Sequence, residues 1–351
     1  MSIVVKQSFF NLITIGVAFI IGAVNTLYLY PTFLGSKLQG LVIALLAISN
    51  IIQPFLSFGT QHAVIRFYSR YKSNKEKNAV LTLSLIIPII VTAVIIPLFY
   101  LYYDQIKVLL FQTENAFSQY AYVILFIAVS TSFFEIFYSW VRVKLKSVFG
   151  NFLKELYPRL LVTFLLISYT LDYLDFENFI LYLIYGYYLR LLIVMVYSFI
   201  INKPKISFYF KNDFKEILRY SFLILLSGAA SSIILDIDKS MLSSILTVEN
   251  VAYYSVAIFI AAVIEIPGRA MFQILSPIVA EVINKNNKKK LKYLLKKSST
   301  NLVLVSSLFF LIINLNLNDF YEMLNQEGYN KGIPIVIIVS FAKLYSMSIG
   351  C

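Results

Sequence analysis

Four polar side chains, Glu265, Arg269, Gln273 and Ser276, recur at spacings of four, four and three within a long apolar run, which places them on one face of a helix. A charged group in hydrocarbon costs about 2.5–3.5 kcal/mol on insertion scales, so this face is expected to look into protein or a water-filled cavity. A second stripe, Asn50, Gln53, Ser57 and Gln61, lies at spacings of three, four and four nearer the amino terminus. Arg190 and Lys343 also fall inside apolar runs, and His62, Arg66 and Arg159 lie near run ends. The buried acids are Glu135 and Glu265; each either binds a coupling proton or sodium ion or neutralises a nearby cation, and neutralisation is the reading taken for Glu265. Asp236, Asp238 and Lys239 cluster at the end of another run, as a gate between two halves or as a local cap and ion pair.

Other chemistry is scarce. The single cysteine, Cys351, excludes an intrachain disulfide and argues against a thiolate metal site, and the single histidine leaves little for acid–base or zinc chemistry. No cofactor or metal is expected beyond a coupling H+ or Na+. With 59% hydrophobic and 14% charged residues in 351, and a mean hydropathy of +0.78, the chain is too apolar for a soluble domain. It reads as an all-α integral membrane protein. The net charge of +12 does not point to nucleic acid, because the basic residues sit in short loops, where they act as an orientation signal.

The elements that must position these groups are apolar runs of about 20 residues, the length that crosses a bilayer. Ten are expected, at about 8–30, 40–65, 79–103, 119–141, 155–173, 177–201, 217–238, 248–278, 299–317 and 333–351. The first reads as a retained span, with no small-residue cleavage signature after it. Basic clusters at Lys6, Arg66–Lys77, Arg142–Arg159, Lys203–Arg219 and Lys285–Lys297 alternate with acid-bearing connections at Asp104, Asp172, Glu249 and Glu322. The positive-inside rule then puts the amino terminus and every even-numbered loop in the cytoplasm. Tyrosines at span ends, such as Tyr28, Tyr100 and Tyr122, read as interface anchors.

The longest polar connection, Asn202–Phe222, mixes lysines with Phe208, Tyr209, Phe210 and Phe214, as a segment lying in the interface does. It is taken as a seam, giving an amino-terminal six-helix lobe at 1–201, a cytoplasmic interfacial linker at 202–216 and a carboxyl-terminal lobe at 217–351. A weak internal repeat, Ser36–Pro54 laid on Val248–Pro267, supports two pseudo-repeated lobes around a central cavity.

The stretch FLGSKLQGLVIALLAISNIIQPFLSFGTQHAVIRFYSRY, from Phe33 to Tyr71, resembles the opening of the polysaccharide (O-antigen and capsule) flippases of the multidrug/oligosaccharidyl-lipid/polysaccharide exporter superfamily. LDIDKSMLSSILTVENVAYYSVA, from Leu235 to Ala257, resembles their seventh and eighth spans. The order of spans and loops agrees along the whole chain. The resemblance implies a transporter, not an enzyme, in the bacterial cytoplasmic (inner) membrane. Its cargo would be an undecaprenyl-pyrophosphate-linked oligosaccharide, moved to the outer leaflet by alternating access, with the bilayer and other polysaccharide-assembly membrane proteins as partners and no nucleic acid.

The family usually has 12 to 14 spans, so the chain is expected to stop inside its tenth, with an incomplete second lobe. Cations at membrane depth would meet the pyrophosphate, because phosphate must exchange hydration for charge-assisted hydrogen bonds. The cavity candidates are Arg269, Arg190, Gln273, Gln53, Gln61, His62, Arg66 and Arg159. The peptidoglycan-precursor flippases of the same family carry cavity arginines on the first span, where this chain has Gly16, Gly22 and Asn25; that departure points to another glycan. An ion-coupled multidrug exporter is the alternative, and it would draw on amino-terminal acids, of which Glu135 is the one in a span. A glycan polymerase or ligase would need a long outer loop, which the spacing of the runs leaves no room for.

Overall fold

The computed structural model of the chain describes residues 3–110, 118–201, 203, 205–209, 213–269, 271, 272, 275, 279, 282, 287–324 and 326–349. Long apolar runs become helices because, in hydrocarbon, each backbone N–H and C=O must be paired within its own segment. No strand occurs among the described residues.

Helix α1 (Ile3–Val24) passes through a π turn (Asn25–Leu29) into α2 (Tyr30–Phe33), followed by α3 (Gly35–Ser57), α4 (Thr60–Arg70), α5 (Asn74–Leu101) and α6 (Tyr103–Leu110). Next come α7 (Tyr122–Arg142), α8 (Ser147–Asn151), a second π turn (Phe152–Leu156), α9 (Tyr157–Thr170), α10 (Phe176–Ile201) and α11 (Phe214–Ile245). The chain continues with α12 (Val248–Ala262), α13 (Lys288–Leu315), α14 (Leu317–Leu324) and α15 (Ile333–Ile349).

Nine helical stretches among the described residues are long and apolar enough to cross a membrane, one fewer than the ten expected. The missing one is the run at 155–173. The chain there is helical from Ser147 to Thr170 through the second π turn, but Lys154, Glu155 and Arg159 interrupt its apolar half. Two further expectations are corrected. The run at 40–65 is not one helix: α3 ends at Ser57, and Phe58 and Gly59 take positive φ of 51° and 68° before α4 begins. The lysine-rich segment expected as a loop is helical from Lys288, where the Asn287 side chain accepts from the Lys290 amide at 3.0 Å and caps the first turn.

The helices form two compact units, Met1–Asn25 with Lys37–Val251, and Thr26–Ser36 with Ala252–Cys351. This packing boundary at Val251 differs from the seam read at 202–216, because α11 packs with the amino-terminal helices. Gly59 makes that contact close: a Cβ there would overlap the Ser221 carbonyl oxygen. The first residues of α11 are fastened to the end of α4, where Arg70 meets Glu216 at 2.7 Å and the Tyr71 hydroxyl donates to Asp213 at 2.8 Å. Burial and then that hydrogen bond push the Tyr71 phenol above its ordinary pKa, so it remains a donor. In the 202–216 segment, the Ser207 amide donates to Thr82 Oγ1 at 3.2 Å and its hydroxyl donates to the Lys75 carbonyl at 2.9 Å, tying the segment to α5.

The core of this unit gathers Phe67, Leu81, Phe134, Ile136 and Trp140. The Trp140 indole donates to Ser84 Oγ at 3.0 Å, which satisfies its one polar atom. In the other unit, Tyr253 and Tyr329 meet edge to face at 5.1 Å, and Ser306 Oγ donates to the Ile264 carbonyl at 3.1 Å.

The openings of the two repeat copies touch at Gly40, where any Cβ would overlap the Val248 carbonyl oxygen; a Cβ at Gly16 meets nothing within 4 Å. Gly40→Val is therefore expected to cost about 1–3 kcal/mol of stability through overpacking and so lower the thermal midpoint, while Gly16→Val leaves it near wild type. Equal midpoints for the two variants in detergent would contradict this packing.

Candidate functional site

A polar cavity of about 210 Å³ lies inside the first unit. Its walls come from the end of α3 (Gln53, Pro54), the Gly59 turn, α4 (Gln61, His62), α7 (Glu135, Ser139, Arg142), the second π turn (Lys154) and α11 (Gly228, Ser232). The local sequence explains how such a space survives between packed helices. Pro54 lacks an amide hydrogen, which weakens the last turns of α3. The positive φ at Phe58 and Gly59 then stops one helix and starts the next. Gln53 and Gln61 thus sit on two helices, not on the single face their spacing implied, yet both line the same cavity.

The π turn does the comparable work on the opposite wall. Its extra residue per turn re-aims Lys154, whose Nζ reaches Glu135 Oε1 at 2.7 Å. The Glu135 side chain is 18% exposed and that of Lys154 41%. Lys154 and Arg142 also lie over the Tyr138 ring, at 5.9 and 5.7 Å. With one acid against two fixed cations, the lining carries one surplus positive charge. Gln53 Nε2 and Gln61 Oε1 are buried without a hydrogen-bond partner among the described residues, so each has capacity for a ligand or water.

The remaining candidates lie outside this cavity. Arg66 stacks over Tyr220 at 4.4 Å. Arg159 packs against Gly22, which has no side chain to obstruct it, and its carbonyl accepts from Asn25 at 2.9 Å and from Thr163 at 2.8 Å. Arg190 does not snorkel: it is 4% exposed, donates to Thr131 at 3.2 Å and sits over the rings of Phe134 and Tyr187 at 4.3 and 4.7 Å. Asp236 pairs with Lys239 at 2.6 Å and accepts from Asn50 at 3.2 Å, and Asp238 accepts from the Lys239 amide at 2.8 Å, a local ion-pair cluster.

In the second unit, Glu265 meets Arg269 at 3.3 Å, the contact its spacing implied, but Lys343 approaches closer, at 2.7 Å. The Arg269 side chain is 61% exposed. Gln273 and Ser276 lie outside the described residues. Lys154 and Arg142 are cavity residues that sequence reading passed over, as orientation signals. A signal existed: an acid at Glu135 requires a cation on a neighbouring helix, and Lys154 is flanked by Phe152, Leu153 and Leu156, an apolar setting for a loop lysine.

A family model described as polysaccharide biosynthesis protein matches residues 4–283, and the chain belongs to that family. Together with the helices long enough to span a bilayer, this makes it a multi-pass membrane protein of a polysaccharide-related transporter family, in keeping with the flippases its sequence resembles. No curated protein and no solved structure matches the chain.

Breaking the charge pair from one side tests the cavity wall. Lys154→Met leaves Glu135 uncompensated and Glu135→Gln leaves Lys154 so, and the double variant removes both penalties. The thermal midpoints are expected to give a coupling energy of about 1 kcal/mol, the upper end for pairs that still touch water. Strictly additive single effects would show that the pair does not form.

Proposed function

We propose that the protein translocates a polyprenyl-pyrophosphate-linked oligosaccharide from the cytoplasmic to the outer leaflet of a bacterial cytoplasmic membrane, by alternating access. The amino terminus lies in the cytoplasm, and the segments 1–201 and 217–351 act as the moving lobes. The observation that carries this reading is the polar cavity with surplus positive charge, inside the helical bundle of a polysaccharide-family membrane protein. A phosphate leaving water needs cations and hydrogen-bond donors at that depth, and Lys154, Arg142 and the Gln53 amide supply them.

At about 210 Å³ the cavity is smaller than the roughly 300–1,000 Å³ of sites that enclose a sizeable ligand. In this conformation it suits a phosphate head and not a whole oligosaccharide, and access must alternate for the glycan to pass. Glu135 speaks against the multidrug-exporter alternative, since its carboxylate is engaged by Lys154 and is not free to hold an organic cation. Arg269 is a second phosphate ligand: Lys343 meets Glu265 at 2.7 Å, closer than the 3.3 Å contact of Arg269, so the exposed guanidinium can exchange that carboxylate for an anion while Glu265 stays paired.

Deleting the gene is expected to strand lipid-linked glycan on the inner leaflet and remove surface polysaccharide. Complementation with Arg269→Ala should restore insertion without export, since Lys343 keeps Glu265 paired, and Arg269→Lys should restore part of the export because charge survives without the bidentate fork. Surface glycan that persists in the deletion strain, with raised drug sensitivity, would replace this reading by the exporter. Full export by Arg269→Ala would remove Arg269 from the pathway.

A further inference from the structure

At the start of the last apolar span, the connection between α13 and α15 forms a polar groove of about 630 Å³. Its walls carry Asn318, Tyr321, Glu322, Gln326, Glu327 and Asn330. The connection is firmly built. Gly328 takes φ +83°, where a Cβ would overlap the Tyr253 hydroxyl, and Tyr329, 1% exposed, packs edge to face on Tyr253 at 5.1 Å. Lys331 lies over the Tyr253 ring at 5.7 Å and is not part of the lining.

The lining chemistry selects among ligands. No lysine, arginine or histidine lines the groove and two carboxylates do, which disfavours a phosphate. No group of three or more His, Cys, Asp or Glu side chains placed to hold a metal ion occurs among the described residues. Three amides, two carboxylates and a phenol together offer donors and acceptors of the kind that hydroxyl groups pair with. Tyr321 is 6% exposed, and its hydroxyl oxygen is buried with no hydrogen-bond partner among the described residues. Gly332 leaves room for that oxygen, since a Cβ there would stand 2.7 Å from it. Burial pushes the Tyr321 phenol above its ordinary pKa, so it stays protonated and able to donate. The volume falls within the range of about 300–1,000 Å³ typical of small-molecule sites.

We propose that this groove is a sugar-binding site that recognises a neutral residue of the glycan through hydroxyl contacts to Glu322, Glu327, Asn318 and Asn330. The proposal rests on the glycan-transport reading above and adds a contact for the carbohydrate itself, on a segment separate from the intramembrane phosphate ligands.

The test uses the purified full chain in lipid nanodiscs and saturation-transfer NMR with the methyl glycosides of glucose, galactose, rhamnose and N-acetylglucosamine. At least one glycoside is expected to receive saturation. In Glu322→Gln with Glu327→Gln, and separately in Asn318→Ala, its affinity should fall about tenfold or more, as for loss of hydrogen bonds to charged or buried groups. Unchanged thermal midpoints verify that the variants fold. No transfer to any of the four glycosides, transfer undiminished in both variants, or transfer to spermidine that the same variants abolish would overturn the sugar site, the last in favour of a cation site. Binding is read without transport, so a deletion strain with normal lipid-linked glycan would sink the transport reading and leave this result intact.

Discussion

A charged side chain at membrane depth must find its counter-charge or its hydrogen bonds within the protein, and the arrangement of this chain follows from that requirement. Glu135 on α7 is met by Lys154 at 2.7 Å from a π turn, Glu265 by Lys343 at 2.7 Å from α15, and Asp236 by Lys239 one turn along α11. Arg190 is held instead by two aromatic faces and a threonine. Each solution fixes one helix against another or stiffens one helix locally. Because cations outnumber acids in the chain, 30 against 18, some positive charge is left over, and the Arg142 and Lys154 wall of the cavity is one place where it collects.

The cavity owes its existence to local departures from ideal helix. The left-handed turn at Phe58–Gly59 separates α3 from α4 and lies close against the Ser221 carbonyl of α11. The π turn at Phe152–Leu156 swings Lys154 inward. A regular helix at both places would pack side chain against side chain and leave a dry interior. The same devices make a polar space of about 210 Å³ that an anionic head group can share with glutamine amides, which is the physical link from fold to transport.

Much of this was legible in the sequence, and the omissions have definite causes. Span lengths and the helical class follow from hydropathy, which the bilayer enforces without reference to tertiary contacts. Glu265 with Arg269 followed from four-residue spacing. Gln53 and Gln61 were correctly brought to one place for an incorrect reason, since periodicity assumes an unbroken helix and carries no trace of the hand reversal at Gly59. The Glu135–Lys154 and Glu265–Lys343 pairs escaped because ion pairs between distant helices are set by packing, which one sequence does not display. Arg159 was legible as a charge near a span end, but its contact with Gly22 depends on which helix faces it. The run at 155–173 is interrupted by charge, and of its charged residues Arg159 packs inward against Gly22.

The central claim is that the space around Gln53 and Gln61 is a water-accessible site that favours anions. In a Cys351→Ser background, cysteines placed singly at Gln53, Gln61 and the exposed α5 residue Ile90 can be titrated in intact membranes with small anionic and cationic methanethiosulfonate reagents. The account predicts that the Gln53 and Gln61 positions react, faster with the anionic reagent, while Ile90, 57% exposed on an apolar surface, stays unreactive in lipid. No reaction at the two cavity positions, or a faster reaction with the cationic reagent, would contradict it.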